Sequence, residues 1–140
     1  PAEYESDYLF ATIMFASSLA WFETQHYPKE SFKKVASLIK IWKKHRENVF
    51  QSTIIPIGAQ PTGTTWTGFC AVSADKKSSY VLIFRELNNE ATHQFEIPLL
   101  DKNAIHVKKL AGKGNAKIRN ETLQVRIPNS LQYLFLEITE

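Results

Sequence analysis

The chain has 140 residues, with 17 Lys and Arg against 14 Asp and Glu, for a formal charge of +3. The 44% hydrophobic and 22% charged composition is that of a folded chain about one domain long, and the charge falls well short of a dedicated nucleic-acid binder. A lone cysteine, Cys70, excludes an internal disulfide and a cysteine-based zinc cluster, and its strand-like surroundings make it a small packed hydrophobe.

The opening Pro1-Ala2-Glu3-Tyr4-Glu5 is acidic, unlike the basic start of a secretory leader. From Tyr8 to Phe22 almost every residue is apolar, the exceptions being Thr12, Ser17 and Ser18. At 100° per residue this leaves almost no wet face. Asp7 and Glu23 bracket the run, which is shorter than the roughly 18 to 20 residues of a membrane span. The expectation is a buried helix that needs neighbours on most sides. A second helix is predicted from Pro28, which suits the first helical position, to about Phe50. Phe32, Val35, Ile39, Trp42 and Val49 form its stripe, widened by Ala36 and Leu38. Lys33, Lys34, Lys40, Lys43 and Lys44 fall mostly opposite. They read as a solvated face, because no second basic patch with interleaved aromatics accompanies them. Neither nucleic acid nor a membrane is expected as a partner.

From Ser52 onward the period drops to two. The stretch from Ile54 to Phe69, rich in Pro, Thr and Gly, is the seam between helical and strand-like sequence. Thr53-Ile54-Ile55 and Trp66 to Val72 read as strands, with Asp75-Lys76-Lys77-Ser78 as a hairpin turn. Ser79 to Leu87 is apolar on both faces, the mark of a doubly buried central strand. Asn88-Asn89-Glu90 turns the chain. Phe95, Ile97 and Leu99 then alternate with polar residues, as do Ile105 and Val107. Gly112-Lys113-Gly114-Asn115 is a further turn, followed by Leu123, Val125 and Ile127 and by the strand Leu131 to Thr139. About seven strands at this spacing predict an antiparallel Greek-key sandwich behind two helices.

Few residues suggest chemistry. Asp7 precedes the first helix, and Asp75 and Asp101 sit in turn-like segments. His26, His45, His93 and His106 have no i, i+4 partner, so neither a metal nor another cofactor is expected. Gly112-Lys113-Gly114 lacks the rest of a phosphate loop, and Asn120-Glu121-Thr122 fits a glycosylation sequon of a kind common by chance. Arg85-Glu86 at the end of the central strand reads either as a functional pair or, equally well, as an internal ion pair or a sheet-edge charge. The remaining candidates are Trp66 and Phe69 beside the Gly/Thr loop, either a stacking platform for a sugar or an inter-domain contact.

Several of these segments occur in a telling order. They are Tyr8 to Ala16, Leu19-Ala20-Trp21-Phe22-Glu23, the Lys-rich helix, Pro56-Ile57-Gly58, Pro61, Trp66-Thr67-Gly68-Phe69, and Val81-Leu82-Ile83-Phe84-Arg85-Glu86. Together they resemble the C-terminal end of α-galactosidase-type glycoside hydrolases, family 36 and its relatives, over roughly residues 8–87. Where relatives often have a Pro before the Leu of the first helix, this chain has Ser18-Leu19. The resemblance implies that residues 1–51 are the last helices of a (β/α)8 barrel and that residues 52–140 are a C-terminal sandwich capping it. The catalytic aspartates would lie on earlier strands, so no residue of this chain is assigned a catalytic role. The expected partners are that catalytic barrel, a carbohydrate substrate bound by the parent enzyme, and a further subunit. A carbohydrate-binding module or a protein-interaction domain is the alternative reading.

Overall fold

A computed structural model describes residues 4–17, 28–98 and 105–140. Two helices, α1 (Ser6–Ala11) and α2 (Lys29–Phe50), precede eight strands. These are β1 (Thr53–Gly58), β2 (Trp66–Val72), β3 (Ser78–Arg85), β4 (Thr92–Glu96), β5 (His106–Gly112), β6 (Asn115–Arg119), β7 (Thr122–Arg126) and β8 (Gln132–Thr139). They form a five-stranded sheet, β1-β2-β3-β8-β5, and a three-stranded sheet, β4-β7-β6, antiparallel throughout.

The five-stranded sheet is the middle of three layers. Alternation along β3 sends Val81 and Ile83 toward one core and Tyr80, Leu82 and Phe84 toward another. The first core lies between the sheets, where those residues meet Phe95, Leu123, Val125 and Ile127. The second lies under the helices, where Tyr8, Ala11, Met14, Leu38 and Val49 cover Leu82, Tyr133 and Phe135. The run of residues apolar on both faces thus became a central strand, as its pattern requires. At roughly 1.5–3 kcal/mol for each large apolar side chain, these two cores dominate the fold's stability.

The predicted turn at Gly112 to Asn115 is the step that carries the chain from one sheet to the other. β5 ends in the large sheet at Gly112 and β6 begins in the small one at Asn115. Gly112 and Gly114 have φ of +88° and +101°. A Cβ on Gly114 would run into the carbonyl of Arg126. Only glycine allows so short a crossing.

Three expectations need correction. The first helix does not run as a helix from Tyr8 to Phe22. It ends at Ala11 and continues as tighter turns, with amides of Ile13, Met14 and Ala16 bonding three residues back. Thr12 Oγ1 donates to the Leu9 carbonyl at 2.7 Å, a local bond that competes with helical propagation. Residues 18–22 of the predicted run lie outside the described residues. Of the described part, Leu9 is 40% and Ile13 38% exposed. Pro28 is the N-cap of α2, one position ahead of the first helical turn. Finally, the described residues hold eight strands. The addition is β6, whose Ala116 and Ile118 are too modest an apolar alternation to stand out between Asn115, Lys117 and Arg119.

Candidate functional site

The seam loop between β1 and β2 has no ladder to satisfy its amides, so another acceptor must do so. Glu86, the residue after β3, supplies it. Its Oε2 accepts from Gly63 N at 2.9 Å, Thr65 N at 2.9 Å and Thr65 Oγ1 at 2.8 Å. Backbone bonds from Glu86 N to Thr65 O and from Leu87 N to Gly63 O close the same contact. Asn88 Nδ2 adds a bond to Thr64 O at 2.8 Å. Burial alone would raise the Glu86 carboxyl, but hydrogen bonds from Thr65, Gly63 and Thr62 outweigh it and hold the group below the ordinary glutamate range.

Arg85, only 6% exposed, holds the other side of this junction. Its guanidinium donates to Ile127 O at 2.8 Å, to Asn88 O at 2.7 and 3.0 Å, and to Asn89 O at 3.2 Å. Among the described residues its partners are carbonyls, so in place of an ion pair or an edge charge there is a buried cation joining the end of β3 to the loop that follows it and to the residue after β7.

The two aromatic candidates do not come together. Trp66 and Phe69 are three apart on one strand and therefore point to opposite faces of the sheet. Trp66 is 3% exposed. Its Nε1 donates to Glu90 O at 3.2 Å, and one ring face is stacked on His93 at 5.6 Å and 10°. Phe95 meets it edge-on at 6.3 Å. A ring so enclosed offers a sugar no platform. Phe69, 38% exposed, lies on the helix side, 6.4 Å from the Phe15 ring. It lines an open groove of about 500 Å³ with Tyr8, Thr12, Pro56, Pro61 and Phe84. Burial pushes the Tyr8 hydroxyl up to about 12, with the Glu86 and Tyr4 charges adding to the effect. Most of this groove's lining is apolar, which suits packing better than bond chemistry.

No protein-family model, no curated protein and no solved structure matches this chain. The side chains themselves therefore carry the functional reading. Among the described residues no group of three or more His, Cys, Asp or Glu is placed to hold a metal ion. No described helix is long and apolar enough to cross a membrane. Asp75 closes the β2–β3 hairpin by accepting from Ser73 Oγ at 2.7 Å and Lys77 N at 3.0 Å. Asp7 accepts from the Tyr133 hydroxyl at 3.4 Å, while His26 and Asp101 lie outside the described residues. The Cys70 thiol is buried between the sheets and pushed up to about 11 by that burial, partly offset by Ser79 beside it. It is a packed hydrophobe, not a nucleophile.

One polar cluster escaped the linear reading. Between α2 and the sheet, the Tyr80 hydroxyl donates to Glu137 Oε1 at 3.1 Å and receives Asn48 Nδ2 at 3.3 Å, with His45 Nδ1 at 3.2 Å. These residues are scattered through α2, β3 and β8, so no spacing along the chain announces them. They tie the helix to the sheet beneath it.

Proposed function

We propose that this chain is a C-terminal, non-catalytic part of an α-galactosidase-like glycoside hydrolase. In this reading a Greek-key sandwich braces a (β/α)8 barrel whose last helices are α1 and α2. The ordered resemblance over residues 8–87 suggests the family. The observation that carries the reading is the two-sided segment around α1. Tyr8, Ala11 and Met14 are buried on the sheet, while Leu9 and Ile13 remain 40% and 38% exposed. Apolar side chains on both sides of one segment suit a position between two bodies. The apolar groove at Phe69 opens on the same side of the sheet.

Two measurements test this. The purified chain should release no nitrophenol from a nitrophenyl α-galactoside, and turnover would overturn the reading. A photo-crosslinker placed at Leu9 or Ile13 of the natural translation product should capture residues of a barrel in the same polypeptide. Capture of only a second copy of this chain would replace the reading with self-association through that face.

A further inference from the structure

The small sheet turns Phe95, Leu123 and Val125 inward, which leaves its other face to the intervening residues. Register across that outer face is fixed by the ladders. Thr92 pairs with Arg126 and Arg126 with Asn115; one step along, Gln94 pairs with Gln124 and Gln124 with Lys117. These two rows stand side by side across three strands, a width of roughly 10 Å, and a third row on the same face, Glu96 with Thr122 and Arg119, brings one acid and one further cation. The first two rows line an open groove of about 670 Å³.

The chemistry of this lining is uneven in a useful way. It holds two cations, three carboxamides and a hydroxyl, and no carboxylate. Among the described residues none of these six side chains makes a hydrogen bond or ion pair with the protein. The complement of such a surface is a ligand rich in hydroxyls that also carries negative charge. A carboxamide both donates and accepts, which matches a sugar hydroxyl. A guanidinium takes a carboxylate through two parallel bonds. Single-stranded RNA fits less well, because bases need free ring faces. The one ring in the groove, His93, is stacked on Trp66.

We propose that this face binds a short acidic oligosaccharide, with its carboxylates on Arg126 and Lys117 and its hydroxyls on Gln94, Gln124 and Asn115. The site is separate from the Phe69 groove and does not depend on the hydrolase reading.

The test is a calorimetric or NMR titration of the purified chain with a defined uronic-acid oligomer. A neutral oligomer of equal length and a short single-stranded RNA serve as comparisons. The uronate oligomer should bind at least tenfold tighter than the neutral one, with affinity falling as salt rises. Shifts in the amide spectrum should centre on Gln94, Gln124 and Arg126. The double variant Lys117→Gln with Arg126→Gln alters only exposed side chains, so its thermal midpoint should match the parent while uronate affinity drops at least tenfold. Four results would each overturn the proposal: no uronate binding at millimolar concentration, equal affinity for the neutral oligomer, undiminished binding by a folded double variant, or tighter binding of RNA.

Discussion

Trp66 and Phe69 share a strand, yet their different surroundings set different expectations for the same substitution. Trp66→Ala removes a ring enclosed by His93 and Phe95 and strands the Glu90 carbonyl it serves, a loss of about 3–5 kcal/mol. Phe69→Ala trims a ring open to solvent and should cost less than about 1.5 kcal/mol. Urea unfolding of the two variants gives the comparison directly; equal losses would contradict the opposite-face placement. Glu86 makes a prediction in pH. Its carboxyl is held below the ordinary range when folded, so the unfolded chain binds more protons in mild acid. The resulting stability is complete above the unfolded value, roughly 4.3, and drains away as pH falls through the folded one. Glu86→Gln should lower stability near neutrality and flatten the acid limb of the stability curve. Asp75 is also depressed, first by Ser73, and retains its own share of that limb in both proteins, so the difference isolates Glu86. An unchanged acid limb would remove the carboxylate from its role in the seam loop.

At the scale of elements, the step from β5 to β6 is the tightest constraint. Gly114→Ala would force a side chain onto the Arg126 carbonyl at a φ of +101°, and should cost about 2 kcal/mol or more. Gly63→Ala makes a fair control, since a Cβ there meets nothing and only the φ of +90° opposes it. Thermal melts should rank Gly114→Ala well below Gly63→Ala. How much of this was legible beforehand varies with the physics of each element. β3 was plain, because apolar residues on both faces of a strand require two cores. The β2–β3 hairpin was plain through Asp75. β6 was not, since Ala116 and Ile118 carry too little apolar contrast against their cationic neighbours. α1 was overextended because hydrophobicity reports burial, not helix length, and Thr12 interrupts the run through a bond that propensity does not count. The opposite facing of Trp66 and Phe69 was available from parity alone, once the strand was accepted. The roles of Glu86 and Arg85 were not available, because their partners at 63–65 and 127 become neighbours only in the folded sheet.

For the whole molecule, the order β1-β2-β3-β8-β5 places β8 between β3 and β5, with Tyr133 to Leu136 all buried. Amides of Val81–Phe84 and Leu134–Leu136 should therefore exchange with solvent only through global unfolding, with the highest protection in the chain, while β1 and the edges of the small sheet open first. Exchange measured by mass spectrometry checks this, and early loss of β8 protection would refute it. The same placement has a consequence for synthesis. A ribosome delivers β8 after the other seven strands, so until it emerges β3 and β5 each lack a neighbour and the helices have an unfinished floor. The nascent polypeptide must then wait, with open strand edges and bare aromatics, for its keystone to arrive. Trigger-type holding factors that shield such intermediates should raise the soluble yield of this protein more than they would for one assembled from consecutive hairpins.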